Sequence, residues 1–271
     1  MSYIPSSDSG LSAPIASPAE WGSQPQPLLH VEALYKYYRE FLAVNGVSLS
    51  LWPGEVVGLV GPNGAGKTTI LRCITGILRP TQGTVICGGY RVDNQPAQAK
   101  PLMSLVPETP NLYELLTVEE HLRFIHMAYG EQDQFDERAE VLLRSLSLED
   151  KRHSLVATLS KGMKQKVAVA CAFIHSARVF LFDEPFMGID PAGQRSVRNL
   201  IHGATAQGCA VLISSHILET VEALCSRVLV LNHGSLIAEG DIDQLRERAR
   251  MGSADKLEDV FLTLTREGGT E

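Results

Sequence analysis

Short apolar runs alternate with segments of helical periodicity from residue 28 onward. Val47, Leu49 and Leu51 alternate with serines, which is typical of a strand with one buried face. The runs 56–60 and 179–182 are apolar throughout, as expected for strands that are covered on both faces. The alternation of such strands with helices predicts an α/β fold built on a mainly parallel sheet.

Helices are predicted where apolar side chains recur every three or four residues. The first is expected to end before Pro80, and its apolar face comprises Ile70, Leu71, Ile74, Ile77 and Leu78. A capping box of Thr117 and Glu120 opens the second, whose apolar stripe comprises Val118, Leu122, Ile125 and Tyr129. Further helices are predicted over 136–146, 165–174 and 190–208, so that residues 109–175 form an all-helical stretch within the α/β pattern.

Residues 1–27 depart from this pattern, with five prolines, seven serines and two charged residues. Such a segment buries too little surface to offset the entropy lost on ordering. We therefore expect a disordered leader, with a short docking peptide as the alternative interpretation.

Composition narrows the classes of function. The 271 residues include 24 Lys and Arg against 31 Asp and Glu, a formal net charge of −7, which argues against a nucleic-acid partner. The longest apolar run, residues 167–174, is far shorter than the roughly 20 residues that cross a bilayer, so the chain is not expected to form a membrane channel by itself. Five cysteines without a CxxC spacing favour a reduced, cytosolic setting.

A glycine-rich loop follows the predicted strand 56–60 and precedes the first helix. Its residues 61–68 fit the phosphate-loop pattern G-x-x-x-x-G-K-[ST] in the structural context that this motif requires. Glycines let the backbone wrap a phosphate closely, and the helix N-terminus favours negative charge. The residues expected to hold the phosphates are Gly61, Pro62, Asn63, Gly64, Ala65, Gly66, Lys67, Thr68 and Thr69.

Within this loop, Lys67 is expected to neutralise the β- and γ-phosphates, and the Thr68 hydroxyl to bind Mg²⁺. The alternative interpretation is an ordinary glycine-rich turn with a surface lysine. A second half of the site is predicted where the strand 179–182 ends in Asp183 and Glu184. Asp183 is positioned to serve the metal through a water and Glu184 to polarise the attacking water, although an acidic strand end is often only a solvated edge.

The stretch 159–166, LSKGMKQK, lies about twenty residues before Asp183 and resembles the LSGGQ signature of ATP-binding cassette (ABC) ATPases. Tyr38 is similar in position to the aromatic residue that stacks on adenine in that family. Residues 188–190 resemble the D-loop of the family, and His216 resembles its switch histidine.

The resemblance implies a P-loop, RecA-like core with a mainly parallel sheet, an N-terminal antiparallel β-subdomain and a helical subdomain. The ATPase domain would span 28–246, with the helical subdomain at about 109–175 and a C-terminal tail over 247–271. Within that tail, residues 257–261 resemble cassettes that serve drug- and lipid-type export. ATP and Mg²⁺ would be the cofactors.

The partners that the resemblance implies are a second cassette, identical or different, and a separate transmembrane permease, which would place the chain at the cytoplasmic face of a membrane. The permease would dock in the groove after Glu108. Ser160 and Gly162 would bind the γ-phosphate held by the opposite subunit, Asp190 would contact the nucleotide site, and His216 would contact the γ-phosphate. The alternative interpretation makes Ser160 an ordinary helix cap beside a solvated basic face.

Three residues depart from the family pattern. Lys161 replaces a signature glycine and Met163 the signature glutamine, and Glu108 stands at the usual Q-loop glutamine. A carboxylate remains a suitable Mg²⁺ ligand, so Glu108 is a candidate metal ligand with altered metal dependence. The alternative is that Glu108 is a surface residue ending a strand.

Two other classes of function remain open from the residues. A soluble ATP-gated clamp would use the same cassette without transport, although such proteins usually carry two cassettes or a long insertion. A small-molecule kinase would use the same phosphate loop but leaves the stretch 159–166 unexplained. Co-purification with a polytopic membrane protein would favour the transporter, and phosphorylation of an added acceptor would favour the kinase.

Overall fold

A computed structural model describes residues 26–131, 134–252 and 255–267. The predicted leader, residues 1–27, lies outside the described residues except for its last two positions. Within the described ranges, none of the helices combines the length and the apolar character that a membrane span requires.

One sheet is antiparallel and has the strand order β2-β1-β4-β5. Its strands are β1 (Leu29–Tyr38), β2 (Phe41–Leu51), β4 (Gln82–Cys87) and β5 (Tyr90–Arg91). The hairpin β4–β5 turns at Gly88 and Gly89, which both have positive φ. In β2 the side chains of Val47, Leu49 and Leu51 are buried, which confirms the predicted half-buried strand.

The second sheet has the order β10-β9-β3-β8-β7-β6 and is parallel except for the pair β9–β10. Its strands are β3 (Val56–Val60), β6 (Met103–Val106), β7 (Val179–Asp183), β8 (Ala210–Ser215), β9 (Arg227–Asn232) and β10 (Ser235–Gly240). The predicted α/β class with a mainly parallel core and a separate antiparallel sheet is confirmed.

Helices connect the strands and cover the central sheet. They are α1 (Lys67–Ile74), α2 (Pro96–Ala99), α3 (Val118–Ala128), α4 (Phe135–Ser145), α5 (Lys161–Phe173), α6 (Pro191–Ala206), α7 (Leu218–Leu224), α8 (Ile242–Arg248) and α9 (Leu257–Glu267). Short 3-10 turns lie at Lys100–Leu102, Glu149–Lys151 and Val156–Thr158. The predicted capping box of Thr117 and Glu120 is present at the start of α3.

Both faces of the central sheet are buried, which explains the uninterrupted apolar runs in its strands. Phe180 and Phe182 of β7 belong to the core that includes α3 to α7, whereas Val179 and Leu181 belong to the core shared with α1 and the antiparallel sheet. The helices α3, α4 and α5 lie within the range 109–175 and share the first core. The boundaries 28–246, 109–175 and 247–271 stay predictions.

The first helix is shorter than predicted, and its extension to Leu78 is wrong. The helix α1 ends at Ile74, and Ile77 is 62% exposed instead of lying on the buried face. Gly76 adopts a φ of +67°, the left-handed conformation that commonly terminates a helix and that glycine adopts without steric cost. The helix therefore ends six residues before Pro80, at Ile74.

Candidate functional site

The loop between β3 and α1 has a backbone that only glycine accommodates at its last position. Gly66 has a φ of +105°, and a Cβ atom there would lie 2.6 Å from the carbonyl oxygen of Ala43. The helix α1 begins at the next residue, so the amide groups of its first turn face the loop and favour an anion. The glycine is thus required by both backbone conformation and close packing.

Lys67 folds back into this loop. Its Nζ donates hydrogen bonds to the carbonyl oxygens of Gly61, at 2.7 Å, and Pro62, at 3.2 Å. Burial lowers the pKa of Lys67 by removing water from the ammonium, and the carboxylates of Glu184, Asp183 and Glu108 oppose that effect by their negative charge. The ammonium is held where a bound anion can be neutralised.

Asp183 lies at the carboxyl end of β7 with both carboxylate oxygens hydrogen-bonded. Thr68 Oγ1 donates to Asp183 Oδ2 at 2.7 Å, and Ser214 Oγ donates to Oδ1 at 2.5 Å. Ser214 is the parallel-strand partner of Asp183 in β8, so their side chains meet at the same edge of the sheet. Ser214 was not predicted as a site residue, although its position near the end of a second apolar strand is a signal that could have identified it.

Glu184 follows directly and adopts a φ of +50°, which is uncommon for a residue with a side chain. The carboxylate of Glu184 is buried. Its Oε1 lies 2.8 Å from His216 Nδ1, and its Oε2 accepts a hydrogen bond from Ser215 Oγ at 3.4 Å. The backbone N–H of Glu184 donates to the carbonyl of Ser214, which ties this turn to β8. The loops after β7 and β8 therefore bring the Glu184 carboxylate and the His216 imidazole within hydrogen-bond distance of each other.

These groups converge on one cleft of about 530 Å³. Of the residues predicted for the site, the cleft is lined by Tyr38, Asn63, Gly64, Ala65, Gly66, Lys67, Thr68, Thr69, Glu108, Asp183, Glu184 and His216. Gly61 and Pro62 contribute through their contacts with Lys67. The cleft also includes Phe41, Ala43 and Met187, which the sequence analysis did not select.

Oxygen atoms suited to a hard cation are clustered in this cleft. Asp183 and Thr68 present a carboxylate and a hydroxyl in direct contact, and Glu108 lines the same space. Carboxylate and hydroxyl oxygens are the ligand type that Mg²⁺ takes, usually together with phosphate oxygens and water. The oxygen donors of Asp183, Thr68 and Glu108 therefore fit Mg²⁺.

The signature residues and Asp190 lie outside the lining of that cleft. Ser160 is the N-cap of α5 and accepts a hydrogen bond from the backbone of Met163 at 3.3 Å. Gly162 packs so closely on Gly188 that a Cβ atom would collide with the Gly188 carbonyl oxygen. Asp190 caps α6 and pairs with Lys166 at 3.0 Å. Residues 160–162 and 188–190 thus pack against each other, and none of them lines the cleft described above.

The ABC transporter family model matches residues 44–187 of this chain. The chain is 38% identical over 241 residues to the ABC-type transporter ATP-binding protein EcsA of Bacillus subtilis (strain 168), which covers 89% of this chain and 97% of that protein. It is 37% identical over 224 residues to the SkfA peptide export ATP-binding protein SkfE of the same organism, covering 82% of this chain and 92% of that protein.

A solved structure of the ATP-binding subunit of an ABC transporter is also similar. It superposes with a TM-score of 0.84 at 37% identity, covering 88% of this chain and 99% of the other. Sequence and fold therefore point to the same set of proteins over nearly the whole described chain.

Proposed function

Because this chain belongs to the ABC transporter family and is an ATPase, we propose that its ATP hydrolysis powers transport by a membrane protein of the exporter type. The observation that carries this proposal is the cleft in which Lys67, Asp183 and the pair Glu184–His216 converge. The name of SkfE, a peptide export protein, supports the outward direction.

Residues 61–69 hold the phosphates, with backbone amides and the Lys67 ammonium as donors. Tyr38 stacks on the adenine base at the mouth of the cleft. A triphosphate would compete for the Lys67 ammonium with the carbonyl oxygens of Gly61 and Pro62, which accept its hydrogen bonds in this structure. The exchange of neutral acceptors for a triphosphate favours binding because charge-assisted hydrogen bonds are the stronger ones.

Glu184 orients the attacking water and accepts its proton, and His216 contacts the γ-phosphate. The hydrogen bond between His216 Nδ1 and Glu184 Oε1, 2.8 Å long, orients both side chains toward the same space. A bound Mg²⁺ would neutralise charge that develops on the phosphate oxygens. Thr68, Asp183 and Glu108 would hold that ion, and Ser214 keeps the Asp183 carboxylate in place through its hydrogen bond to Oδ1.

Two cassettes act together, each completing the site of the other. Ser160 and Gly162 lie outside the cleft of their own chain; Ser160 is exposed and Gly162 is half-buried. Ser160 begins α5, so its hydroxyl and the first amides of the helix form a ready anion site for the γ-phosphate of an opposing subunit. Asp190 lies in the segment 188–190 that packs against residues 160–162, through which it meets the opposing subunit.

A separate transmembrane partner docks in a groove of about 570 Å³ next to Glu108 and places the chain at the cytoplasmic face of the membrane. The groove runs between the central sheet and the helices α3 and α5, and Pro107 and Thr109 line it on either side of Glu108. Apolar groups such as Ile77, Ile125 and Tyr129 and the cations Arg72 and Lys100 also line it, which suits an amphipathic segment with acidic residues.

The experiment is capture of the tagged chain from native membranes, solubilised in detergent, with identification of what co-purifies. A polytopic protein is expected with the wild-type chain and absent with Ile77→Asp, which places a charge in the groove. The control is Leu262→Asp, which changes an exposed apolar residue on α9, away from the groove, and should leave capture unchanged. Capture of no polytopic protein by the wild-type chain would favour the soluble ATP-gated clamp. The basal ATPase rate should be equal in all three.

A further inference from the structure

Two aromatic rings stand opposite each other at the tip of the β1–β2 hairpin. Tyr38 is the last residue of β1 and Phe41 the first of β2, and the two are paired across the strands. A two-residue turn connects them, with Arg39 in the left-handed conformation at a φ of +55°. Residues directly opposite in an antiparallel pair project from the same face, with their Cβ atoms about 5 Å apart.

Both rings are open to solvent although they lie at the mouth of a cleft. Tyr38 is 44% exposed and Phe41 is 65% exposed, and both line the cleft that holds Lys67 and Asp183. An aromatic ring of this kind gains most when a second apolar or π surface covers it. The exposure of paired aromatics beside a polar phosphate-binding loop therefore indicates a planar ligand.

The strand β2 aims Phe41 at the phosphate loop. Alternate residues of a strand share one face, and Phe41 and Ala43 both line the cleft. Ala43 touches the loop directly, because its carbonyl oxygen lies where a Cβ atom of Gly66 would come within 2.6 Å. Phe41 lies two residues before Ala43 in β2 and therefore further from the phosphate loop. It is on the side of the cleft where a nucleoside attached to a bound phosphate must lie.

Tyr38 has a neighbour of its own, whereas most of the Phe41 ring surface is open. The ammonium of Lys36 lies 5.4 Å from the centre of the Tyr38 ring and is held there by a hydrogen bond to the carbonyl oxygen of Arg79 at 2.8 Å. This cation–π contact already occupies part of the Tyr38 ring. The larger open aromatic surface at the cleft mouth is that of Phe41.

We propose that Phe41 is a second aromatic contact for the adenine base, acting with Tyr38 as a two-ring platform. The inference rests on the proposed nucleotide cleft and adds to it a residue that binds the base and not the phosphates. Such a residue contributes to affinity for the nucleoside and leaves the chemistry at the γ-phosphate untouched.

The test is equilibrium binding of ATP and of inorganic tripolyphosphate, which has the phosphates without the base. Phe41→Ala is expected to weaken ATP binding about tenfold, as loss of one stacking contact does, and to leave tripolyphosphate binding unchanged. In steady-state hydrolysis the KM for ATP should rise while kcat stays the same. Phe41→Trp restores a flat ring and should recover ATP affinity.

The matched control is Tyr37→Ala, which removes an exposed aromatic ring of β1 that does not line the cleft and should change neither affinity. Equal ATP affinity in wild type and Phe41→Ala would overturn the proposal. An equal loss of ATP and tripolyphosphate binding would overturn it as well, because it would mean that the phosphate loop itself had moved. A wild-type chain that bound ATP no more tightly than tripolyphosphate would contradict base recognition by Tyr38 and Phe41 alike, yet would leave the phosphate cleft intact.

Discussion

His216 Nδ1 lies 2.8 Å from Glu184 Oε1, so the residues that follow two neighbouring parallel strands are hydrogen-bonded to each other. The strands β7 and β8 are in register with Asp183 opposite Ser214. Glu184 then turns sharply in the left-handed conformation, and His216 follows Ser215. The pair depends on the sheet register, because a shift of one residue would direct either side chain elsewhere.

Replacing the carboxylate in this pair should stop hydrolysis without preventing ATP binding. In Glu184→Gln the amide keeps the shape of the side chain but cannot accept a proton from water, so kcat should fall about a hundredfold or more. With hydrolysis blocked, an ATP-bound dimer should accumulate. Phosphate release and gel filtration in the presence of ATP measure the two effects. A variant that turned over ATP at the wild-type rate would remove Glu184 from this role.

Restoring the usual glutamine at position 108 should change the metal dependence of hydrolysis. Glu108→Gln removes a negative charge from the cleft, so a higher Mg²⁺ concentration should be needed for half-maximal activity if the carboxylate is a ligand. Titration of ATPase activity with Mg²⁺ at saturating ATP measures this. Glu114→Gln, which changes an exposed carboxylate on the neighbouring loop, is the control. Identical titrations for wild type and Glu108→Gln would rule the role out.

A methyl group at Gly162 should disturb the contact between α5 and the loop at Gly188. In Gly162→Ala the Cβ atom would collide with the Gly188 carbonyl oxygen, so α5 or the D-loop must shift. We expect lower thermal stability and loss of ATP-driven dimerisation. Gly203→Ala is the control within α6, because the space around it is open. That substitution should raise the free energy of unfolding by about 0.5–1 kcal/mol, the usual gain for alanine over glycine in a helix. A Gly162→Ala chain as stable and as dimerisation-competent as wild type would show that this contact is dispensable.

Acid should destabilise the helical region through Glu119. Hydrogen bonds from the Arg152 guanidinium lower the pKa of Glu119 from its ordinary value of 4.5 to about 2. Burial opposes this shift, and a further hydrogen bond from Arg123 adds to it. A carboxylate whose pKa is lowered by folding stabilises the protein above its unfolded pKa, and this stabilisation is lost as the pH falls from about 4.5 to about 2. Glu119→Gln should therefore lower the melting temperature at pH 7 and reduce its further decrease at acid pH.

Thermal melts between pH 7 and pH 3 measure this difference, with Glu137→Gln, an exposed carboxylate on α4, as the control. If the melting temperatures of Glu119→Gln and wild type decreased by the same amount across that range, the ion pair would not contribute to acid sensitivity.

Local signals predicted much of the fold because they concern neighbours in the sequence. The capping box of Thr117 and Glu120 needs only residues three positions apart, and it forms as predicted. The predicted end of α1 was wrong because the apolar spacing continued past Gly76, whose left-handed backbone ends the helix. Periodicity reports which side chains are apolar, and it does not report the backbone angle at which a helix stops.

For the site, the sequence determined the chemistry of the groups: a phosphate-binding loop with Lys67 and a strand ending in two carboxylates. Ser214 and Phe41 were missed because the sequence does not say which strands are neighbours, although Ser214 lies near the end of an apolar strand. They join the cleft through strand pairing, Ser214 across from Asp183 in β8 and Phe41 across from Tyr38 in β2. Hydrogen bonding between strands brings together residues that are 31 positions apart in the first case. The strand pairing and its register decide which hydroxyl groups bind the Asp183 carboxylate and which aromatic rings line the cleft. Only the folded chain defines that pairing.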